Sequence, residues 1–281
     1  MTIRDLRDKY LKPLTKLYDK QEACSLILRV ITHYSHLTLT QIYAYPETKL
    51  EARLAIEITK ALDEICTKRP LQYVLGQADF FGRRFFVNSD VLIPRPETEE
   101  LVWVAMNDSK GKSLDILDIG TGSGCIAVSL ACELPQAEVF AIDISEPALN
   151  TAARNAERSD TIVHFAKHDI LSDTELPFGR KFDIFVSNPP YVRISEQKLM
   201  HDNVLRYEPH IALFVSDESP LIFYEACIRL AFRYLKPKGT IYAEINEELG
   251  EATRLLFTNA GFDAEIIKDI SNKDRIIVAR S

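Results

Sequence analysis

The sequence predicts an α/β protein: a seven-stranded, mostly parallel sheet with a small all-helical domain ahead of it. Three observations predict it. From Ser113 onward, short apolar runs alternate with amphipathic stretches, the pattern of strands joined by helices in a parallel sheet. Residues 1–70 show helical spacing and nothing else. The first predicted strand then runs straight into Asp118-Ile-Gly-Thr-Gly-Ser-Gly-Cys125, a glycine-rich loop that opens a helix.

Taken in order, Leu6, Tyr10, Leu14 and Leu17 recur at three- and four-residue steps, and 23–34 continues the pattern. Thr38 or Thr40 is placed to cap a short segment ending at Pro46. Leu50, Leu54, Ile58, Leu62 and Ile65 form one apolar stripe that Lys68-Arg-Pro70 ends. This predicts an antiparallel bundle of roughly four helices. Asp79-Phe-Phe-Gly-Arg-Arg-Phe-Phe-Val87 sets paired aromatics on both sides of Gly82-Arg83, a hairpin signature. Pro96 suits the first turn of a helix, with Glu97, Glu99 and Glu100 at its positive end. Strands are predicted at 114–119, 138–142, 161–166, 182–187, 240–245, 262–267 and 275–279, the last two as an antiparallel pair. Helices are predicted at 125–133, 147–158, 219–235 and 249–260, with Lys236-Pro-Lys-Gly239 as a stop signal. The expected domains are a helical one at 1–75, a β-hairpin linker at 76–90 and a main domain at 91–281.

Composition excludes several classes. With 46% hydrophobic and 27% charged residues among 281, the chain is neither disordered nor membrane-embedded in character. Its N-terminus is charged from the start, and no apolar run approaches the roughly 18 residues that span a bilayer, so a cytoplasmic protein without a membrane partner is expected. Five scattered cysteines without C-x-x-C spacing predict buried thiols rather than a disulfide framework or a metal site. His33 and His36 are three apart, but no acidic or cysteine partners stand near them, so no metal is expected. The net charge of −7 divides into +3 over residues 1–70 and −10 over the rest. An acidic main domain argues against a long nucleic-acid groove. A monomer with no direct nucleic-acid partner is expected.

Two stretches carry chemistry. Phe182-Asp-Ile-Phe-Val-Ser-Asn-Pro-Pro-Tyr-Val192 begins as a buried strand and stops at two prolines, which fix φ and donate no N–H. Asn188, before a proline, is held extended. Its side-chain carbonyl and the Pro189 carbonyl form a pair of fixed acceptors, with Pro190 and the Tyr191 ring beside them. That set fits a planar –NH2 group. Taken alone, the turn also reads as a plain strand terminator. In the glycine loop, Gly120, Gly122 and Gly124 allow a tight turn and close approach of a ligand to Thr121 and Ser123. The third glycine comes one position too early for a dinucleotide fingerprint, which disfavours NAD. Asp143 ends the second strand, where a carboxylate can accept two ribose hydroxyls; it also reads as a helix cap. Asp169 and Ile170 follow the third strand and border an adenine, or form a capped loop.

Together these residues resemble the class I methyltransferases that act on planar amino groups. N-P-P-Y by itself is shared with enzymes that methylate adenine in DNA or RNA. The wider set Arg69-Pro-Leu-Gln-Tyr-Val-Leu-Gly76, Val91-Leu-Ile-Pro-Arg-Pro-Glu-Thr-Glu99, Tyr207-Glu-Pro209 and Lys273-Asp-Arg275 resembles the peptide chain release factor glutamine methyltransferases across essentially the whole chain. The resemblance implies a Rossmann-like methyltransferase sheet and S-adenosylmethionine as cofactor. It also implies transfer of a methyl group to the side-chain amide nitrogen of the glutamine in a release factor's Gly-Gly-Gln motif. It implies catalytic and substrate-binding roles for Asn188, Pro189, Pro190 and Tyr191, and cofactor contacts at 120–124, Asp143, Asp169, Ile170 and Asn188. The helical domain is then expected to recognise the protein substrate. The competing readings are an adenine methyltransferase acting on nucleic acid and a non-catalytic cofactor-binding assembly factor. Two positions depart from the family pattern: Asn246 replaces a more usual glycine, at a place expected to be peripheral, and Ile170 replaces an aromatic residue.

Overall fold

In the computed structural model, which describes residues 1–281, helix α1 (Ile3–Leu14) begins where Thr2 and Asp5 exchange side-chain-to-backbone hydrogen bonds. Asp19 caps α2 (Lys20–Ser35), and Thr38, not Thr40, caps α3 (Leu39–Ala44) with Gln41. Helix α4 (Ala52–Cys66) and a short α5 (Leu71–Leu75) complete the set. The bundle therefore has five helices rather than four; α5 is too short to show a periodic stripe. Leu6, Tyr10, Ile27, Ile31, Ile58 and Leu62 form its core, while Leu17 falls beyond the end of α1 and is exposed. Met1–Gln77 make one compact unit together with His201–Tyr207. Within it the Tyr207 hydroxyl donates to the Thr67 carbonyl at 2.9 Å, and Lys68 pairs with Asp202 at 2.6 Å.

Ala78–Met200 and Glu208–Ser281 form the second unit. Strands β1 (Gln77–Phe80) and β2 (Arg83–Phe86) make the expected hairpin, but its turn is Phe81-Gly82, with φ of 47° and 72°. Both central residues being left-handed suits the twist of a two-residue hairpin, and Glu99 accepts the Phe81 N–H. Phe80 and Phe85 pack into the core of the sheet unit. Helix α6 (Pro96–Ser109) has its proline at the first turn. Then follow β3 (Asp115–Ile119), α7 (Cys125–Glu133), β4 (Glu138–Asp143), α8 (Glu146–Arg158), β5 (His164–Lys167), β6 (Phe182–Ser187) and a short β7 (Val192–Arg193). Helix α9 (Asp202–Tyr207) lies in the segment grouped with the bundle. Strand β8 (Phe214–Val215), α10 (Ile222–Tyr234), β9 (Leu235–Glu244), α11 (Gly250–Asn259), β10 (Asp263–Lys268) and β11 (Asp274–Arg280) complete the chain.

The seven-stranded sheet has the order β10-β11-β9-β6-β3-β4-β5. It is parallel from β9 to β5, with β11 and β10 antiparallel at one edge. Apolar clusters cover both faces. Some details differ from the sequence expectation. Strand β5 starts at His164, because only from there does it find a partner, Phe140, on β4. The supposed stop signal at 236–239 is a bulge inside β9, which already pairs with β6 at Leu235 and resumes at Thr240. Helix α9 buries no residue, so no apolar period announces it. No helix is long and apolar enough to cross a membrane.

Chain order reverses between β3 and β6, which lie side by side with Ile119 opposite Ser187. The C-terminal ends of strands at such a switch point form the ligand crevice of open α/β sheets. Here those two ends are the glycine loop and the Asn-Pro-Pro-Tyr turn.

Candidate functional site

The crevice is a single cavity lined by Gly120, Thr121, Gly122, Ser123, Asp143, Asp169, Ile170, Asn188, Pro189 and Pro190, all expected from the sequence. Gly124 and Tyr191 are not on its wall.

At the loop end, β3 stops and the N–H groups of Gly120 and Thr121 both donate to the Ile142 carbonyl. Gly120 and Gly122 have positive φ, and a Cβ added at either would meet nothing within 4 Å. The loop thus forms a cradle that side chains would fill. Gly124 does different work: its Cβ would lie 2.9 Å from that of Ala152, so it lets α7 pack against α8. Beneath the loop Asp118 is fully buried. Its Oδ2 accepts from the Thr121 hydroxyl at 2.6 Å and the Ala127 N–H at 3.2 Å, while Oδ1 has no partner. Burial pushes its pKa up to about 7.

Asp143 accepts the Gly122 N–H on Oδ2 (2.9 Å) and the Ser145 N–H on Oδ1 (2.8 Å). Each oxygen keeps a lone pair for a further donor. Ser145, not Asp143, caps α8. Burial raises the Asp143 pKa, against the two N–H groups that hold its charge. Asp169 gives one oxygen to the Leu171 N–H, and Ile170 lies beside it. His168, buried on the same wall, has an Nε2 without a partner, and burial lowers its pKa.

At the turn end, Asn188 donates from Nδ2 to the Thr98 hydroxyl at 3.0 Å. Thr98 in turn donates to Glu244 Oε2 at 2.6 Å. Tyr191 stands behind the turn instead of walling the cavity, because its hydroxyl is drawn inward to Glu244 Oε1 at 2.7 Å. Burial and the neighbouring carboxylate raise the Tyr191 pKa, keeping the hydroxyl protonated. Burial also raises that of Glu244, opposed by its two hydroxyl donors. Asn246 is not peripheral. Its Nδ2 donates to the Tyr191 carbonyl at 3.2 Å and to Glu196, and its Oδ1 accepts the Glu248 N–H. On the same wall Arg95 pairs with the buried Glu208 at 2.6 Å, which also accepts the Ile93 N–H.

Thr98, Glu244, Arg95, Glu208 and His168 were not among the expected site residues. Glu244 had one visible signal, a carboxylate closing the apolar run Ile241-Tyr-Ala; Thr98 had none beyond its place in an acidic helix start. The arrangement sets the Asn188 side-chain oxygen, left without a protein partner, at one end of the cavity and a glycine cradle with the Asp143 carboxylate at the other. Nothing positive faces that cradle to neutralise a pyrophosphate except Arg95, which Glu208 already holds.

A methyltransferase domain model matches residues 110–277. The release factor glutamine methyltransferase of Flavobacterium psychrophilum is 43% identical over 99% of this chain and 98% of its own length. That of Bacteroides thetaiotaomicron is 41% identical over 95% of each. Among solved structures, a methyltransferase from Pyrococcus furiosus shares the fold, with a TM-score of 0.51 and 17% identity over 82% of this chain and 98% of its own.

Proposed function

The chain belongs to the release factor glutamine methyltransferases, and on that premise we propose that it transfers a methyl group from S-adenosylmethionine to the side-chain amide nitrogen of the glutamine in a release factor's Gly-Gly-Gln motif. The observation that carries the reading is the Asn188 amide, whose nitrogen is tied to Thr98 and whose oxygen is left without a protein partner at the cavity.

The cofactor supplies an electrophilic methyl group on a sulfonium. The open backbone of Gly120 and Gly122 would admit it, Asp143 would accept its ribose hydroxyls, and Asp169 and Ile170 would border its adenine. The chain's remaining task is to present a poor nucleophile. An amide nitrogen is poor because its lone pair is delocalised, the same resonance that gives a peptide bond a rotation barrier of about 18–20 kcal/mol. Asn188 Oδ1 and the Pro189 carbonyl accept the two N–H hydrogens and aim the nitrogen at the methyl group. As the nitrogen gains positive character these hydrogen bonds strengthen, so they stabilise the transition state more than the ground state. Pro190 and the buried Tyr191 keep the turn rigid, which fixes the approach geometry. The new C–N bond would form as the methyl–sulfur bond breaks, its electron pair staying on sulfur as a neutral thioether, and the surplus proton on nitrogen would pass to water.

Residues 1–75 recognise the release factor, the hairpin within 76–90 belongs to the sheet unit rather than to a linker, and 91–281, apart from His201–Tyr207, hold the catalytic site. The separate core of the bundle and its exposed Tyr43, Tyr45 and Ile56 support that role. Ile56→Glu is expected to raise KM for release factor without changing cofactor affinity. The acidic balance of residues 71–281 supports a protein rather than a nucleic-acid substrate. Five free cysteines fit a reducing cytoplasm, and the chain acts as a monomer. The test is to incubate the protein with methyl-labelled S-adenosylmethionine and, separately, release factor or nucleic acid. Label on the Gly-Gly-Gln glutamine by mass spectrometry is expected. Label on nucleic acid, or on neither, overturns the assignment.

A further inference from the structure

Resting on that reading, we propose that Thr98 and Glu244 are positioning residues that choose which end of the Asn188 amide the substrate meets. The two ends of a carboxamide have nearly the same shape and opposite hydrogen-bonding sense. With its oxygen at the cavity, Asn188 accepts from a substrate –NH2; rotated by half a turn, it would oppose donor to donor. The Asn-Pro-Pro backbone fixes where the side chain starts but not which end points outward.

The choice is made by a relay of two hydrogen bonds. Against the effect of burial, two hydroxyl donors and the charge of Arg275 hold Glu244 as a carboxylate, which can only accept, and it is 1% exposed. Thr98, 2% exposed, therefore commits its single hydrogen to Glu244 Oε2 at 2.6 Å. That leaves only lone pairs on the Thr98 oxygen toward Asn188, 3.0 Å away. A flipped Asn188 would set its oxygen against those lone pairs with no hydrogen between them. The nitrogen is thus held inward and the oxygen outward. The other Glu244 oxygen takes the Tyr191 hydroxyl at 2.7 Å, so one buried carboxylate holds the turn directly at its last residue and through Thr98 at its first. Residues 90 and 146 positions apart meet here, Thr98 from the first turn of α6 and Glu244 from the end of β9.

The relay has a polarity that an isosteric change reverses. In Glu244→Gln the Tyr191 hydroxyl still needs an acceptor, and Glu244 is the one it has. The new amide therefore turns its oxygen to Tyr191 and its –NH2 to Thr98. Thr98 then donates to Asn188, which flips and presents its nitrogen to the cavity. Every buried group keeps a partner, so the fold is retained while the acceptor is lost. A purely structural role for Glu244 predicts no such loss, since the packing and the number of hydrogen bonds are unchanged.

The experiment uses the 15N-labelled full chain with Glu244→Gln and Thr98→Ser, and Asn188→Ala with and without Thr98→Val. It reads solvent exchange of the Asn188 side-chain amide protons, the melting temperature, and single-turnover methylation of release factor at saturating cofactor. The expected result is one protected Asn188 amide proton, the one given to Thr98, in the wild type and in Thr98→Ser, and fast exchange of both in Glu244→Gln. Turnover in Glu244→Gln falls by about ten- to a hundredfold with its melting temperature kept. Thr98→Val combined with Asn188→Ala is expected to be no slower than Asn188→Ala alone. Equal Asn188 exchange in wild type and Glu244→Gln overturns the relay, as does wild-type turnover in that variant. The exchange reading needs no methyl acceptor, so it decides the relay even if release factor proves not to be the substrate.

Discussion

At the glycine-loop end of the cavity the polar partners are mostly main-chain groups of adjacent segments, the Thr121–Asp118 pair beneath the loop apart; at the Asn-Pro-Pro-Tyr end they are side chains reaching in from α6 and β9. Gly122 and Ser145 N–H groups hold Asp143, and the Ile142 carbonyl holds the loop itself. By contrast, Asn188 is set by Thr98, and Thr98 by Glu244. A site made of backbone tolerates changes of side chain as long as the glycines keep their left-handed φ. A site made of a side-chain relay depends on each member having the right donor count. In the proposed reaction the first end binds, and the second selects and orients.

The contrast is broken or sharpened by four substitutions, the first three read at a single pH and in falling order of effect. Asp143→Ala removes two acceptors from the binding end and is expected to weaken S-adenosylmethionine binding by about 1.5–3 kcal/mol. Titration calorimetry checks it, and turnover at saturating cofactor is expected to change little. Gly124→Ala forces a Cβ against Ala152 at positive φ, away from the cavity wall. It is expected to lower stability by about 1–3 kcal/mol in denaturant unfolding. Gly122→Ala, with open space at the same atom, reports instead in cofactor affinity. The fourth is read as a pH slope. Asp118 in the fold is pushed up to about 7 from 3.8. Between those values the folded chain holds a proton that the unfolded chain has released, so this group's contribution to stability falls as pH rises from about 4 to about 7. Asp118→Asn is expected to remove that part of the slope in urea titrations across the window; an unchanged slope would show that Asp118 is ionised in the fold.

The same division governs what the sequence made legible. The parallel sheet, Asp143 and the glycine loop are local patterns: a strand period, a turn, a charge at a strand end. Ser187-Asn-Pro-Pro-Tyr191 is equally local. The glycines looked alike in sequence, yet only two of them face open space, because what Gly124 meets is set by α8. Tyr191 looked like an aromatic wall, and nothing near it in sequence announced a buried acceptor 53 positions away. Thr98 sat in an acidic helix start whose charges suggested only helix-end complementation, and its partners come from β6 and β9. Asn246 passed for a peripheral difference until the fold placed its amide against the Tyr191 carbonyl. Helices α5 and α9 escaped because one is too short and the other buries nothing.

The central claim is that Asn188 acts as an acceptor in the transition state while the other end of the cavity holds the cofactor. The most direct measurement is the single-turnover rate of release factor methylation by Asn188→Ala against S-adenosylmethionine concentration, run beside a melting curve. The plateau rate is expected to fall by about a hundred- to a thousandfold, the loss of one transition-state hydrogen bond of roughly 2.7–4 kcal/mol. The half-saturating cofactor concentration and the melting temperature are expected to stay near those of the wild type. A stable Asn188→Ala protein whose plateau matches the wild type would contradict the account and reduce the Asn-Pro-Pro-Tyr turn to the end of a strand.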